Sequence, residues 1–400
     1  MSNYSAQSTT CENVLINKFA QLKVQPNGIL AQVMLAFLTT AGIFYINIMP
    51  ALLSGLKDGL GFTSQQAGFV SSANLYGASF GALLAVFIIK KIRWQRWAYC
   101  LLVSILLIDL YSIYITSADI MIVFRALHGV TGGLLVGIGF CIISRTQDPD
   151  KTFGYLLFIQ WGLGGLGLMY LPSLVTIYGT TVLFSALIAF SLLTLVMLVF
   201  LPQYPVEEQR QLSTKNTKTE LKPLMMTLTA IFLFQGANMG LFAYMIALGK
   251  AAGLSTSFMS TSLGIASWVA LIGAFLVMLV GTKFGRVIPL MIGIASTAFC
   301  TWILHYSDNA NVYLYANIMV GVGWAFVLPY LFGICAELGK AGQYAAMGGF
   351  ASKMGLASGP MAGALVLSNE VYEPMINVAT IALIACAVIA FIPAKKLDAH

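Results

Sequence analysis

The sequence has few charged residues. Only 9% of its 400 residues are Asp, Glu, Lys or Arg, with 14 acidic side chains and three histidines, whereas about 25% of a soluble domain is charged. This scarcity excludes a soluble globular fold. The six cysteines are scattered, without a CxxC or a Cys/His spacing, so a metal site is not expected.

Sequence motifs of enzymes and of nucleic-acid-binding proteins are also missing. There is no Walker loop, no HExxH helix and no nucleotide fold pattern, and the polar segments are too short to form a catalytic domain. The formal net charge is +7, but the basic residues lie in short segments between apolar stretches, where they orient membrane proteins. We therefore expect no enzyme activity, no cofactor and no nucleic-acid partner.

Apolar stretches occupy most of the chain. Hydrophobic residues make up 59% of it, the mean hydropathy is +0.86, and about 20 apolar residues suffice to cross the ~30 Å hydrocarbon core of a bilayer. An all-α integral membrane protein with twelve transmembrane helices is predicted. These spans cover residues 29–56, 64–89, 97–116, 119–144, 153–177, 180–201, 224–248, 257–281, 286–306, 311–336, 343–368 and 374–393.

The basic residues predict the orientation of the spans. Most of the 21 lysines and arginines fall on one side of the membrane, with Lys57 and Lys250 on the other side and Arg125 and Lys353 inside spans. By the positive-inside rule the basic side is cytoplasmic, and both termini are predicted to lie there. The short loops and termini suggest a bacterial inner-membrane protein, and we expect it to be a monomer. The predicted regions are an N-terminal tail (1–28), a six-helix bundle (29–201), a cytoplasmic linker (202–223), a second six-helix bundle (224–393) and a C-terminal tail (394–400).

An internal repeat relates the two sets of six spans. A single shift of 192 positions aligns residues 61–64 with residues 253–256, Lys91 with Lys283, and Gly129 with Gly321. Each landmark lies on the same span or loop of its half. The pattern indicates two parallel six-helix repeats related by an axis along the membrane normal.

Short segments of the chain resemble motifs of the major facilitator superfamily. Residues 125–133, RALHGVTGG, look like that family's helix 4 motif, in which an Arg is followed four residues later by Gly. The GTKFGR loop at residues 281–286 resembles the family's DRxGRR loop, with Thr282 in place of the acid. Its first-half counterpart, KKIRWQR at residues 90–96, keeps the basic charge. Residues 46–50 are most similar to the efflux branch of the family.

The resemblance covers residues 29–393 and implies both a fold and a mechanism. It implies two pseudo-symmetric six-helix bundles, in which the first, fourth, seventh and tenth spans line a central cavity. It also implies secondary transport of a small molecule by alternating access, without ATP. Multidrug efflux of amphipathic compounds is the alternative that the efflux branch suggests. Residues expected to take part in gating are Lys91, Arg93, Lys283, Gly285, Arg286, Gly359 and Pro360.

Asp109 and Arg125 are charged residues inside predicted spans, where each charge costs about 2.5–3.5 kcal/mol on insertion scales. They lie eight residues before and eight residues after Ser117, at a predicted turn. A rise of about 1.5 Å per residue therefore places them at the same depth. They form either a fixed ion pair or a proton-coupling site. His128, one turn deeper, is either a proton relay or a packing residue.

Lys353 lies about ten residues into the eleventh span, with no acid of the second half at the same depth. An ammonium group in hydrocarbon must face water or meet an anion, so Lys353 is predicted to contact the substrate. The alternatives are a side chain that extends to the interface and a neutral amine.

The excess of positive charge in the spans predicts a small organic anion as the solute, with protons as the coupling ion. A membrane receptor or scaffold without transport activity is the alternative from another functional class. The residues predicted to bind substrate are Lys353, Arg125, Trp161, Asn47, Tyr45, Gln160, Gln235, Asn238, Asn317 and Trp324.

Overall fold

A computed structural model describes residues 23–89, 92–204, 221–338, 343–367 and 370–399. These residues form fifteen α-helices and one 3₁₀ helix, and no β-strand occurs within the same ranges. The first half contains α1 (Ile29–Ala41), α2 (Phe44–Asn47), α3 (Met49–Leu60), α4 (Ser64–Ile88), α5 (Trp94–Ser112), α6 (Ala118–Ile143), α7 (Pro149–Tyr178) and α8 (Thr181–Phe200). The second half contains α9 (Leu221–Ala251), α10 (Thr256–Val269), α11 (Leu271–Val280), α12 (Val287–Trp302), the 3₁₀ helix (Ile303–Tyr306), α13 (Ala310–Glu337), α14 (Gln343–Val366) and α15 (Glu373–Asp398).

Nine helical segments in the described part of the chain are long and apolar enough to cross a membrane. They correspond to every predicted span except the first, the third and the eleventh. The third and eleventh spans form the helices α5 and α14, and polar residues such as Asp109 and Lys353 lower the hydropathy of these helices. The arrangement as twelve spans in two bundles stays a prediction.

The first predicted span is divided into three helices. α1 ends at Gly42, where the backbone passes so close to α6 that a Cβ atom on Gly42 would lie 2.3 Å from the carbonyl oxygen of Gly132. Pro50, in the first turn of α3, lacks the N–H group that would continue the helix from α2. The short helix α2 thus lies between two interruptions, and it brings Asn47 to the centre of the molecule.

The two loops aligned by the shift of 192 have the same structure. Gly61 and Gly253 adopt left-handed φ values of 69° and 80°, which glycine reaches at no steric cost. Two residues later, the hydroxyl oxygens of Thr63 and Ser255 accept hydrogen bonds from the backbone N–H groups three positions on. These are N-terminal caps, so α4 and α10 begin in the same way.

Glycines allow α4 and α6 to pack backbone to backbone. A Cβ atom on Gly77, Gly81, Gly129 or Gly133 would lie 2.0–2.2 Å from a carbonyl oxygen of the facing helix. Small residues at such contacts permit a close helix approach in membranes. The two halves contact each other mainly through α3 with α9, α4 with α14 and α7 with α10.

Candidate functional site

A cavity of about 310 Å³ lies between the two halves, at the lower end of the ~300–1,000 Å³ range of ligand pockets. Its lining residues on α7 (157, 160, 161, 164 and 165) and on α13 (317, 320, 321 and 324) recur every three to four residues, some as adjacent pairs, so each helix presents one face to it. The polar lining residues are Asn47, Gln160, Gln235, Asn238, Ser267 and Asn317, and the aromatic ones are Trp161, Phe242 and Trp324.

The cavity has a neutral wall. None of the described residues that line it carries an ionisable side chain. Amide groups and indole N–H groups supply its hydrogen-bonding capacity, and apolar side chains form the remainder. A charged group that entered the cavity would find no opposite charge in the wall, and burying an unpaired charge is costly.

Gln235 fixes one aromatic side of the cavity. Its Nε2 atom donates a hydrogen bond to Ser352 Oγ at 2.5 Å, and its Oε1 atom accepts one from Trp324 Nε1 at 2.6 Å. The ring of Trp324 in turn contacts Phe242 edge to face, with centroids 6.0 Å apart. Both ends of the Gln235 amide are therefore engaged, and its oxygen holds the Trp324 indole N–H group.

Most of the residues predicted to bind substrate line this cavity. Those that do so are Asn47, Gln160, Trp161, Gln235, Asn238, Asn317 and Trp324. Lys353 is not among the lining residues; it is half-buried on α14, one turn from Leu356, which does line the cavity. Arg125 and Tyr45 lie outside the lining too, and the Arg125 guanidinium stacks 5.8 Å from the centroid of the buried Tyr45 ring.

Asp109, Arg125 and His128 form a separate buried cluster inside the first half. Arg125 Nη1 donates to Asp109 Oδ1 at 2.8 Å, and Arg125 also bonds Ser112. His128 Nε2 lies 3.4 Å from Asp109 Oδ2. Asn74 Nδ2 donates to the Arg125 carbonyl oxygen and lies 2.8 Å from His128 Nδ1, so Nδ1 is the acceptor and Nε2 carries the hydrogen that faces Asp109.

Two ion pairs close one end of the interface between the halves. We call it the sealed end, and it is formed by the last turns of α3 and α9 and by Glu370, which follows α14. Lys57 Nζ lies 2.5 Å from Glu370 Oε2, and Lys250 pairs with Asp58. Asp58 and Lys250 are equivalent positions at the shift of 192. Ser64 Oγ also donates to Glu370, at 2.6 Å.

Further hydrogen bonds join the two halves nearer the middle of the helices. Tyr76 Oη lies 2.8 Å from Ser358 Oγ, and Trp268 Nε1 donates to the Gly162 carbonyl oxygen at 3.1 Å. Tyr76 and Trp268 are again equivalent positions. Within the described ranges, no hydrogen bond joins the halves closer to the opposite end, where α4 ends and α7 begins. Among the described residues, the hydrogen bonds and ion pairs between the halves thus lie at the sealed end and near the middle of the helices.

The residues predicted to act in gating fall into two groups. Gly359 packs against α9, where a Cβ atom would lie 2.6 Å from the Gly236 carbonyl oxygen, and the Pro360 carbonyl oxygen accepts a hydrogen bond from Tyr244. The others belong to loops between spans: Arg93 precedes α5, Lys283, Gly285 and Arg286 precede α12, and Lys91 lies outside the described residues.

The loop before α12 is held by an acid from the end of the chain. The Asp398 carboxylate accepts hydrogen bonds from the backbone N–H groups of Arg286 at 2.8 Å and Val287 at 2.9 Å. It caps the positive end of α12. Arg286 also pairs with Glu337. An acidic side chain thus contacts this loop even though Thr282 replaces the acid of the resembling motif.

Sequence reasoning did not single out the residues of the sealed end. The sequence did contain a sign of them, because Lys57 and Lys250 are the two basic residues predicted on the non-cytoplasmic side of the membrane, where positive charge is otherwise scarce. Each has its acidic partner in the other half, which a pattern within one half does not reveal.

The Glu370 contacts should make the sealed end sensitive to acid. Burial raises the pKa of Glu370, but hydrogen bonds from Lys57, Ser64 and Tyr372 outweigh this effect and hold the pKa below its ordinary value of 4.5. A carboxyl group with a lowered pKa stabilises the folded state at pH above its ordinary pKa and loses this effect as pH falls through the lowered value. We expect Glu370→Gln to melt below wild type at pH 7, and the two melting temperatures to converge below about pH 4.5. A constant difference down to pH 3 would contradict this.

Comparisons with known proteins agree with this architecture. The family model for the Major Facilitator Superfamily matches residues 33–364. A solved structure of a mutant of the nucleoside transporter NupG is 15% identical, with a TM-score of 0.71, and covers 92% of this chain and 98% of that chain. Another structure of NupG is 16% identical, with a TM-score of 0.68, and the match covers 93% of this chain and 100% of that chain. No curated protein matches the sequence.

Proposed function

This chain belongs to the Major Facilitator Superfamily, and on this premise we propose that it carries an uncharged, polar small molecule through the neutral cavity by alternating access. Family membership makes it a multi-pass membrane transporter of a small solute and not an enzyme. Its substrate class, its coupling ion and its orientation are our proposals.

The proposed substrate class rests on the chemical composition of the cavity wall. The wall offers amide groups and tryptophan rings and, among the described residues, no charge. A nucleoside has a planar base that can stack on an aromatic ring and hydroxyl groups that amides can bind, and it is uncharged. The similarity of fold to the nucleoside transporter NupG supports the same class of solute.

An organic anion is the second candidate, and Lys353 favours it. The Lys353 side chain is half-buried within α14, one turn from the cavity. A rearrangement of α14 could turn its ammonium toward a carboxylate. The amphipathic compounds of the multidrug alternative would use the apolar part of the same wall.

We propose that protons drive transport through the Asp109, Arg125 and His128 cluster. A neutral His128 whose Nε2–H faces Asp109 can take up a second proton if its bond to Asn74 breaks. The positive-inside rule supports an orientation in which the sealed end faces outward and both termini are cytoplasmic. We also propose that the chain acts as a monomer in an inner membrane.

Solute exchange in proteoliposomes distinguishes an uncharged polar solute from an organic anion. We expect vesicles loaded with unlabelled uridine to take up labelled uridine in a saturable manner, and Lys353→Met to leave this exchange unchanged. Labelled succinate in succinate-loaded vesicles should not exchange. Succinate exchange that Lys353→Met abolishes, without uridine exchange, would overturn the neutral-solute proposal in favour of the organic anion.

A reducible cross-link across the sealed end tests alternating access itself. Asp58→Cys combined with Lys250→Cys replaces an ion pair between the halves with two thiols that a bis-methanethiosulfonate reagent can bridge, and this bridge must break for the end to open. The reagent should stop exchange, and a reductant should restore it, whereas each single variant should be insensitive. Continued exchange by a fully cross-linked protein would show that the sealed end does not open during transport.

A further inference from the structure

Asn238 on α9 and Asn317 on α13 share an arrangement that the other amides of the cavity lack. Both side chains are buried, with 2% and 8% exposure, and both line the cavity. Each donates its Nδ2 hydrogen to the carbonyl oxygen four residues earlier in its own helix, at 2.7 Å to Phe234 and 2.8 Å to Tyr313.

These bonds fix which end of each amide is available. A backbone carbonyl oxygen only accepts hydrogen bonds, so the atom that faces it must be the NH₂ group. The remaining end is the Oδ1 acceptor. For Asn238, this oxygen is buried and has no hydrogen-bond partner among the described residues. A buried acceptor without a partner destabilises the empty site, and a bound donor group would remove this effect.

We propose that Asn238 and Asn317 are specificity-determining residues that accept hydrogen bonds from hydroxyl or amino groups of the solute. This inference rests on the proposed function, and it adds which chemical groups are recognised. The solute must present donors to the second half of the protein. A carboxylate has only acceptors at neutral pH, so the same two oxygens would repel it.

Gln235 does not compete for this role, because it is engaged at both ends, by Ser352 and Trp324. Asn47 also donates to a backbone carbonyl oxygen, that of Gln160, but this bond lies in the first half, so Asn238 and Asn317 are the acceptors that the second half offers. A site built to bind a hydroxyl group discriminates strongly against an analogue without it, because its buried acceptor then stays unpaired. The cost of leaving one buried acceptor unpaired corresponds to about 10- to 100-fold weaker binding when a solute hydroxyl is removed.

Deoxygenated nucleosides test the inference on purified full-length protein. The probes are uridine, 5′-deoxyuridine and 2′,3′-dideoxyuridine, and the measurement is the Kd of each. We expect wild type to bind at least one deoxygenated analogue about 10- to 100-fold more weakly than uridine. Asn238→Leu or Asn317→Leu should weaken uridine binding to the level of that analogue while leaving the analogue's own Kd unchanged. The control Met225→Leu, at an exposed position of α9 outside the cavity lining, should keep the wild-type affinities and discrimination.

The outcomes separate this inference from the proposed function. Equal binding of all three probes by wild type would overturn the inference and leave a carrier for uncharged solutes standing. Equal loss of every probe in the asparagine variants would overturn it too, since that result marks a purely structural role. Failure of wild type to bind any of the probes would overturn both.

Discussion

Replacement of Gly129 by alanine is expected to destabilise the protein severely. A Cβ atom at this position would lie 2.0 Å from the Asn74 carbonyl oxygen and 2.9 Å from the Ala78 nitrogen. Both are backbone atoms, so no side chain can rotate to make room, and α4 and α6 would have to separate. Overpacking typically costs about 1–3 kcal/mol and occasionally more, and here we expect about 3 kcal/mol or more. The hydrogen bond between Asn74 and His128 should be lost as well.

Thermal unfolding in detergent, followed by intrinsic fluorescence, measures this effect. The matched control is Gly333→Ala on α13, where an added Cβ atom would meet no atom within 4 Å. Alanine is about 1 kcal/mol better than glycine inside a helix, so this variant should melt at or slightly above the wild-type temperature. Gly321, the position equivalent to Gly129, should be intermediate, since its nearest contact would be 3.2 Å. A melting temperature of Gly129→Ala close to wild type would refute the backbone contact.

The fold was predictable from the sequence wherever local patterns determine it. Hydropathy located the helices, and the repeat at Gly61 and Gly253 marked two loops with the same left-handed glycine and the same hydroxyl cap. The division of the first span was not predicted. Its cause at Gly42 is a contact with Gly132, 90 residues away in the chain, which hydropathy along one helix does not register.

The candidate site was predictable only in part, because the sequence shows which residues are polar but not which way their side chains face. Asn238 and Trp324 stand out in the sequence because polar and aromatic side chains in a span require partners. The sequence shows that Lys353 is charged but not which way it faces, and α14 directs Leu356 rather than Lys353 to the cavity. The pairing of Lys57 with Glu370 depends on how the halves dock, which no single-half pattern encodes.

Loss of either Asp109 or Arg125 alone is expected to be more damaging than loss of both. The two side chains are 0% and 1% exposed, and their ion pair is 2.8 Å long. Breaking a buried pair by removing one partner leaves an uncompensated charge and costs about 3–5 kcal/mol, whereas replacing both partners by apolar residues is often neutral. Arg125→Met and Asp109→Leu should each lower the melting temperature strongly, and the double variant should recover most of the loss.

The double variant also decides between the two roles of the cluster. If Asp109 and Arg125 serve only to join α5 and α6, the recovered protein should still concentrate solute when a proton gradient is imposed on the vesicles. We expect instead that it loses gradient-driven accumulation but retains exchange of solute at equal pH, because the cavity lies elsewhere and contains neither residue. Retention of both activities would leave the cluster as a fixed ion pair. Loss of both, with stability recovered, would mean that the cluster is required for the conformational change, since exchange needs that change and not a proton gradient.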